Sequence, residues 1–237
     1  MSIVVIGAGI VGLASARFLL AEGCRNVVVV DLAPGPGEGT SFANGALLHP
    51  SAVEPWNSPG IGGYLLRHLG REDAAVLLRA SALPSLLGWG IRFVRESTTA
   101  RFRANALANT ALALYSMRCL REIGIDPSRF EHCGLGSLTV LRDSPSLQAA
   151  SEWAESMATA GVRHRVLDRD ALLAAEPALG PVAHQLTGAI HNLDDETGDC
   201  HRFCQSLASE LAGAGVEMRW ATGVDRIEVG RPGVRGV

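Results

Sequence analysis

The sequence predicts an α/β protein in which both ends of the chain contribute to one core and a different region is inserted between them. A β-prone run, Ser2 to Ile6, leads into the glycine turn Gly7 to Gly12 and a helical stretch, Leu13 to Glu22. A second apolar run, Val27 to Val30, ends in Asp31. This order of strand, turn, helix and strand is typical of a parallel βαβ unit. The middle of the chain favours helices, and alternating strand and helix signals return in the second half.

The glycine turn favours a dinucleotide site on a Rossmann-like sheet. Gly7 permits the tight turn, Gly9 lets a pyrophosphate approach the backbone, and Gly12 lets the helix pack closely on the strand. The helix N-terminus offers unpaired N–H groups to the anion. Asp31 lies 19 residues beyond Gly12, close to the spacing at which a carboxylate meets a ribose hydroxyl. The alternative is a glycine-rich turn that binds nothing, but the accompanying strand, helix and acid favour the dinucleotide site.

The composition excludes several classes of function. The net charge is -3 and the arginines are scattered, so we expect no nucleic-acid partner. All 21 basic residues are Arg. A chain without Lys supplies neither a Schiff-base lysine nor a P-loop lysine, which excludes pyridoxal-phosphate chemistry and Walker-type nucleotide hydrolysis.

The cysteines indicate reduced, packed thiols, because their number is odd and their spacing fits no disulfide framework. They are Cys24, Cys119, Cys133, Cys200 and Cys204. The segment from Cys200 to Cys204, with His201 inside it and His191 upstream, could be interpreted as a metal site. Because its cysteines lie one helical turn apart in an amphipathic stretch, small packed side chains are the preferred interpretation, and we expect no metal.

The apolar N-terminal run is not expected to direct export. Ile3 to Ala16 has no basic segment before it, is interrupted by glycines and is shorter than the ~18 residues of a membrane span. We therefore expect neither a signal peptide nor a transmembrane helix. The cysteines, which fit reduced thiols, favour a cytoplasmic location. Peripheral contact at the inner face of a membrane is an open alternative.

The remaining elements follow in chain order. After Asp31 comes a flexible loop, then a segment in which Thr40 or Ser41 could cap a short helix, and an irregular excursion from Leu48 to Gly63. The predicted helices are Tyr64 to Arg79, Leu83 to Glu96, Ala100 to Ile123, Ser146 to Ala160, a short helix capped by Asp168 that stops at Pro177, and Cys200 to Ala212. The predicted strands are Ser137 to Leu141, His164 to Leu167, Leu186 to Ile190, Met218 to Trp220 and Val224 to Val229.

Five segments, in this order, resemble the N-terminal part of the FAD-dependent D-amino-acid dehydrogenases within the D-amino-acid oxidase-like group. They are GAGIVGLASA, TSFANG, PWNSPG, LPSLLGWG and DDETGDC. The first is shared by many flavin and nicotinamide proteins, whereas the later four together are much more specific. The resemblance covers essentially all 237 residues.

The resemblance implies FAD as the cofactor. The glycine turn would hold the pyrophosphate, Asp31 would meet the adenosine ribose, and the backbone at Val224 would contact the adenine. The segment with Thr40, Ser41, Asn44 and Gly45 would lie along the flavin. The alternatives are a helix cap at Thr40 or Ser41 and a buried strand residue at Val224. The expected cofactor-binding residues are therefore Gly7, Ala8, Gly9, Ile10, Val11, Gly12, Asp31, Thr40, Ser41, Asn44, Gly45 and Val224.

The chain departs from the family pattern in two places. Many members have Asn-Ala-Gly where this chain has Asn44-Gly45-Ala46. Members also continue well beyond residue 237, so we expect a discontinuous, incomplete FAD-binding domain, residues 1–48 and 186–237, around an inserted helical and α+β substrate-side region, residues 49–185. The groups that bind the substrate carboxylate, and any catalytic residues, are expected beyond residue 237.

Two further residue patterns have a plain and a functional interpretation. His49 follows the flavin-side segment and could attach flavin covalently, but a loop histidine is the preferred interpretation. The acids from Asp194 to Asp199 could bind a cation, but acids before a helix are more often capping groups.

The resemblance implies oxidative deamination of a D-amino acid by hydride transfer from its Cα to the flavin, giving a 2-oxo acid and ammonia. A glycine-, sarcosine- or hydroxyproline-oxidising relative of the same fold is the alternative enzyme. A non-catalytic nucleotide-binding fragment or subunit, completed by a partner that supplies the C-terminal half, is the alternative from another class. The electron acceptor is open, with contact to a quinone at a membrane surface among the options, and we expect the chain alone to be inactive.

Overall fold

The computed structural model describes residues 2–74, 77, 79–231 and 233–236. Its strands are β1 Ile3–Ile6, β2 Val27–Val30, β3 Leu47–Leu48, β4 Ser137–Leu141, β5 His164–Asp168, β6 Gly188–Asn192, β7 Glu196–Thr197, β8 Glu217–Arg219, β9 Glu228–Gly230 and β10 Gly233–Gly236. Its α-helices are α1 Ile10–Ala21, α2 Ile61–Arg67, α3 Leu83–Arg95, α4 Thr99–Ile123, α5 Ser144–Ala158, α6 Arg169–Ala175 and α7 Cys200–Gly213. Short 3-10 helices cover Ala80–Ala82, Pro127–Phe130 and Pro177–Gln185. Among the described helices, none is both long enough and apolar enough to cross a bilayer.

The chain divides into two compact units, and the first consists of residues 1–48, 117–136 and 195–237. Its main sheet has the strand order β1-β2-β8, and both pairings are parallel. Parallel neighbours need a crossover, which α1 provides between β1 and β2. Helices α1 and α7 pack on each other, and their buried leucines Leu13, Leu207 and Leu211 form the core with Val29. In the part of the chain that the structure describes, β1 is an edge strand.

The second unit consists of residues 49–116 and 137–194. It contains an antiparallel sheet in which β6 lies between β4 and β5. Ile190 in the centre of β6 pairs with Thr139 on one side and Val166 on the other. Helices α5 and α6 pack on this sheet, and Leu172 of α6 is buried with Leu186 and Ala189.

The boundaries of the two units differ from the expected 1–48 with 186–237 and 49–185 at two places. Residues 117–136 group with the first unit, because Phe130 packs edge-on against Phe203 of α7 at a ring-centroid distance of 5.1 Å. Residues 186–194 group with the second unit, because β6 completes the sheet with β4 and β5. Both differences come from contacts between residues that are far apart in sequence.

Two predicted elements differ from the structure by more than three residues at one end, and a third does not form. The helix expected over Tyr64 to Arg79 is instead Ile61–Arg67, and it is followed by Gly70 in a left-handed conformation at φ +75°. Residues 75, 76 and 78 of that stretch lie outside the described residues. The strand expected over Val224 to Val229 begins only at Glu228 and forms a hairpin with β10. No helix forms at Thr40 or Ser41, where the backbone makes turns.

Candidate cofactor site

The glycine turn between β1 and α1 has a geometry that side chains would disrupt. Gly7 has a φ of +101°, which L-residues rarely adopt. A Cβ on Gly12 would collide with the carbonyl oxygen of Gly7. A Cβ on Gly9 would come within 3.2 Å of the Ser41 hydroxyl. Gly7 is therefore needed for the turn, Gly12 for the contact between helix and strand, and Gly9 for the contact with the loop at Ser41.

Asp31 fixes the glycine turn to the end of β2. Its Oδ2 accepts a hydrogen bond from the Ala8 N–H at 2.6 Å, and its Oδ1 accepts one from the Ala33 N–H at 2.8 Å. Its own N–H donates to the Arg219 carbonyl, and its carbonyl accepts from the Thr222 N–H. The carboxylate therefore lies at the carboxyl edge of the parallel strands, where nucleotides bind in such sheets. Its contact with a ribose stays a prediction.

Ser41 contacts the first residue of α1 from a distance of 31 residues along the chain. Its Oγ accepts a hydrogen bond from the Ile10 N–H at 3.1 Å, and the side chain is buried. The sequence suggested a cap on a local helix, whereas the structure uses Ser41 as a cap on α1. The segment expected beside the flavin thus folds back over the glycine turn.

The first turn of α1 is open to an anion. The first N–H groups of a helix have no intrahelical partner, and α1 has no acidic residue in its first turn. Within the described part of the chain, the N–H groups of Val11 and Gly12 donate no hydrogen bond to a protein acceptor. The Val11 side chain is 78 % exposed. These residues fit a pyrophosphate, because donors and the positive end of the helix dipole meet at a glycine backbone.

The segment Asn44-Gly45-Ala46 has its left-handed residue at Ala46, with a φ of +53°. The Asn44 Oδ1 accepts a hydrogen bond from the Ala46 N–H at 2.9 Å. Gly45 needs no special conformation, and a Cβ there would meet nothing within 4 Å. The resemblance implies a glycine at the position of Ala46 in members that have Asn-Ala-Gly. The departure in sequence therefore puts an alanine at the position where the backbone favours glycine.

Two cavities of about 190 and 340 Å³ in the first unit bring the TSFANG and DDETGDC segments together. Asn44 and Ala46 lie on their walls, together with residues that were not among the expected cofactor-binding residues. The shared residues of that second wall are Gly198, Asp199 and Cys200. The recurrence of DDETGDC in the family resemblance was the signal that could have identified them.

The two walls are held together by backbone pairing. Strand β3 pairs with β7 in antiparallel register, and the Gly198 N–H donates to the Ala46 carbonyl at 3.0 Å. A Cβ on Gly198 would come within 2.8 Å of the Phe130 ring. Asp199 caps α7 by accepting from the Arg202 N–H at 2.9 Å, as expected for an acid before a helix.

Glu196 carries the main charge interaction beside this wall. Its burial raises its pKa, but hydrogen bonds from His132 Nε2 at 2.7 Å and from Arg121 outweigh that effect, so the pKa is lowered overall. Glu196 is therefore held as a carboxylate that ties β7 to two other segments of the first unit.

Cys204 belongs to the core and is not a reactive thiol. Burial raises its pKa to about 12, with a further contribution from the neighbouring Cys200. Both cysteines pack in the core formed by α1 and α7. The preferred interpretation of this pair as packed side chains agrees with their position.

The other predicted residues lie as follows. Thr40 is exposed, and Val224 is half-buried in the irregular stretch between β8 and β9. The hydrogen bond from Thr222 to Asp31 brings the start of that stretch to the glycine turn. His49 is half-buried, and its Nδ1 has no hydrogen-bond partner within the described chain. The covalent attachment of flavin to His49 stays untested.

Comparisons with known proteins show which family the chain matches. A family model described as FAD dependent oxidoreductase matches residues 2–237. The chain is 41% identical over 222 residues to a D-amino acid dehydrogenase of Paramagnetospirillum magneticum, covering 93% of this chain and 52% of the relative. It is 38% identical over 241 residues to a D-amino acid dehydrogenase of Dechloromonas aromatica, covering 100% and 57%. The chain thus spans about half the length of the curated relatives it matches.

Solved structures show the same fold at low sequence identity. Glycine oxidase from Bacillus cereus matches with a TM-score of 0.60 and 16% identity, covering 99% of this chain and 52% of that one. L-alpha-glycerophosphate oxidase from Mycoplasma pneumoniae, with FAD bound, matches with a TM-score of 0.58 and 14% identity, covering 97% and 47%. With the family model matching nearly every residue, the chain belongs to the family of FAD-dependent oxidoreductases that includes the D-amino acid dehydrogenases.

Proposed function

We propose that this chain provides the FAD-binding turn and part of the substrate region of a D-amino-acid dehydrogenase. The observation that carries the proposal is the open N-terminus of α1, whose glycine turn is fixed by Asp31 and Ser41. The relatives named D-amino acid dehydrogenase support the substrate class, since they match across nearly the whole chain.

The residues of this chain would bind and orient the cofactor. The N–H groups of Val11 and Gly12 would hold the pyrophosphate, and Asp31 would accept from the ribose while keeping the turn in place. Asn44 and Ala46, facing Gly198, would line the flavin side, and Val224 the adenine side. Bound FAD would supply the hydride acceptor for oxidation of the amino acid to an imino acid, which water hydrolyses to a 2-oxo acid and ammonia. The protein supplies orientation, so no side-chain base is required for this step.

A titration of the 237-residue chain with ADP and with FAD tests the cofactor half of the proposal. We expect ADP to bind through the local turn, and FAD to bind with no large gain, because further isoalloxazine contacts are expected from the remaining length of the family. Gly12→Ala should abolish ADP binding, whereas Gly45→Ala should leave it unchanged. Equal ADP binding by wild type and Gly12→Ala would contradict the assignment of the turn.

The substrate half is tested with the remaining family length present, on the same or on a second polypeptide. We expect dye reduction with D-alanine or D-proline. A glycine- or sarcosine-oxidising enzyme is the second candidate, supported by the likeness in fold to glycine oxidase. Assays with D-alanine, D-proline, glycine and sarcosine separate the two, and a strong preference for either of the last two substrates would replace the first proposal.

A non-catalytic or heteromeric role is the proposal from another class. Strand β1 lies at a sheet edge in the described chain, and Ile6 at its end is 51 % exposed. An exposed edge with apolar side chains favours pairing with a further strand, which a partner chain could supply. Co-purification with such a chain, and FAD retention only in the complex, would support a split enzyme.

The acceptor and the location are part of the same proposal. We place the protein in the cytoplasm, with electrons passing to a quinone at the inner face of a membrane. Activity with a soluble quinone analogue but not with oxygen is the expected result. Oxygen consumption at a comparable rate would identify an oxidase instead.

A further inference from the structure

The second unit contains a cavity of about 210 Å³ between its antiparallel sheet, helix α5 and a loop that lies before α2. The sheet contributes Thr139, Ile190 and Asn192, which lie on one face. Thr139 pairs with Ile190, and side chains two residues apart in β6 point to the same side of the sheet. None of the described residues that line this cavity is among the cofactor-binding residues of the first unit. The cavity is smaller than the roughly 300 Å³ of drug-sized pockets, so it suits a ligand of few atoms.

Helix α5 leaves room for the cavity because two of its lining positions are alanines. Ala150, Trp153, Ala154 and Met157 line the cavity at spacings of three and four residues, which places them on one stripe of α5. The side chains of Ala150 and Ala154 end at Cβ and lie one helical turn apart. The space between the helix and the sheet is therefore left open beside them, and a larger side chain at either position would fill it.

The loop that lines the cavity is held by two helices. Asn109 Nδ2 of α4 donates a hydrogen bond to the Val53 carbonyl oxygen at 2.9 Å, and Trp153 Nε1 of α5 donates to Glu54 Oε1 at 2.6 Å. The Trp153 ring also packs against Phe102 of α4 at a ring-centroid distance of 5.6 Å. Because the loop and the indole are fixed by protein contacts, a ligand would bind without a large ordering cost in these walls.

Two acceptor atoms at the cavity have no donor in the described chain. Asn192 Nδ2 donates to the hydroxyl groups of Ser137 and Thr139 at 3.2 and 3.3 Å, but Asn192 Oδ1 accepts no hydrogen bond from the described residues. Asn192 is only 7 % exposed, and buried polar atoms are normally hydrogen-bonded. Glu54 Oε2 likewise accepts no hydrogen bond within the described chain, since only Oε1 is bound by Trp153. Both atoms therefore fit a ligand that donates hydrogen bonds.

The charge of the cavity wall favours a cation. Among the described lining residues Glu54 is the one carboxylate, and none is an arginine. His164 also lines the cavity, but its Nε2 lies 3.6 Å from Glu155 Oε2, so its positive form already has a carboxylate beside it. A ligand carboxylate would meet Glu54 without a permanently charged counter-ion. An ammonium group would instead be neutralised by Glu54, close to the Trp153 indole, which is a favourable neighbour for a cation.

We propose that this cavity binds a small primary alkylammonium ion. The ammonium group would pair with Glu54 Oε2 and reach Asn192 Oδ1 directly or through a bridging water. The alkyl chain would pack on Met157 and Ile190, in the space that the alanines of α5 leave open. The ligand would connect the loop, the sheet and α5, and would stabilise the second unit. The inference goes beyond the proposed function, because binding at this cavity needs neither FAD nor the amino-acid substrate.

Calorimetric titration of the 237-residue chain with butylammonium chloride tests the proposed ligand class. We expect saturable binding of butylammonium, binding of 1-butanol that is weaker by at least about tenfold, and no binding of butyrate, which has a similar size and the opposite charge. The temperature of thermal unfolding should rise with the butylammonium concentration, since a ligand that binds the folded state stabilises it. Absence of saturable butylammonium binding, or equal binding of 1-butanol or of butyrate, would overturn the proposal.

Variants locate the ligand in the cavity. Glu54→Gln should weaken butylammonium binding about fivefold. Its control is Glu152→Gln, which removes an exposed carboxylate of α5 outside the cavity and should bind like the wild type. Ala154→Leu should abolish binding by filling the cavity, whereas Ala149→Leu, at an exposed position of the same helix, should leave binding unchanged.

Butylammonium binding that is unchanged in Glu54→Gln or in Ala154→Leu would place the ligand elsewhere and overturn the proposal. If Ala154→Leu does not fold, Glu54→Gln decides alone, because Glu54 is exposed and its replacement leaves the core intact. ADP titration of the same variants should match the wild type, which separates a failure here from a failure of the FAD proposal.

Discussion

The glycine turn of the first unit and helices α2 and α3 of the second unit are both rich in glycine and apolar residues. The room that neighbouring atoms leave around their glycines is very different. At the turn, Gly9 and Gly12 face protein atoms so closely that a Cβ would not fit without movement. In helices α2 and α3, a Cβ built on Gly63, Gly88 or Gly90 would meet no other atom within 4 Å. A glycine pattern therefore indicates a built site only where the fold brings other protein atoms close to the glycines.

The largest change in the free energy of unfolding is expected from Gly12→Ala. Because its Cβ would collide with the Gly7 carbonyl, we expect a loss of about 3 kcal/mol in the free energy of unfolding. Urea titration followed by circular dichroism measures it. Gly45→Ala is the matched control and should change stability by no more than about 0.5 kcal/mol. Similar losses in the two variants would show that the close contact at Gly12 is not what makes that glycine necessary.

Asp31→Asn tests whether the turn is held by the carboxylate. One carboxylate oxygen becomes an NH₂ group that faces a backbone N–H, so we expect a loss of about 2 kcal/mol. The control is Asp225→Asn, because Asp225 is exposed. An unfolding curve for Asp31→Asn that overlays the wild type would mean that the two hydrogen bonds do not stabilise the turn.

Glu196→Gln tests the charge interaction beside the cavities, with an expected loss of about 1 kcal/mol at neutral pH. Because the folded-state pKa of Glu196 is lowered, its contribution is fully present above the ordinary carboxyl pKa and is lost as the pH falls through the folded-state pKa. The stability difference between wild type and variant should therefore shrink in acid. Glu217→Gln, at an exposed ion pair, should show little difference at any pH. A Glu196→Gln difference that grows in acid would contradict the sign of the shift.

Ala46→Gly should stabilise the protein, by about 0.5–1 kcal/mol. The φ of +53° is unfavourable for alanine, and glycine removes that strain at some cost in chain entropy. Ala43→Gly is the control, because Ala43 has no positive φ, and it should be neutral or slightly destabilising. Thermal unfolding at fixed protein concentration gives both values, and a lower melting temperature for Ala46→Gly would refute the strain.

The smallest change in the free energy of unfolding is expected at Leu87 of α3. Leu87→Asp should change the free energy of unfolding by no more than about 0.5 kcal/mol, because most of the Leu87 side chain is already in solvent. A loss as large as that of Gly12→Ala would show that Leu87 packs against protein, and it would remove the contrast between the two regions.

The sequence predicted the parts of the fold whose contacts are local. Strand β1, helix α1 and strand β2 are confirmed, because one continuous segment contains the turn, the crossover helix and both strands. The boundary of the second unit at β6 was not predictable in this way. Gly188–Asn192 pairs with β4 and β5, which lie far from it in the sequence. Whether an apolar run joins one sheet or another depends on partners that periodicity does not identify.

The same distinction applies to the candidate site. The glycines and Asp31 could be identified from their spacing alone, and the structure brings them together. The role of Ser41 depends on a hydrogen bond to a residue 31 positions earlier, and the positive φ at Ala46 depends on how two loops meet. The wall formed by Gly198 and Asp199 became visible only when β7 paired with β3.

The placement of β8 next to β2 has a consequence for how the chain is made. Residues 2–30 contain a complete βαβ unit and can fold soon after they leave the ribosome. The strand that covers the other edge of β2 is Glu217–Arg219, almost two hundred residues later. At roughly 5–20 residues per second of synthesis, Val28 to Val30 would wait on the order of ten seconds or more with an open edge. During synthesis this valine edge is an unpaired strand edge of the kind that favours aggregation.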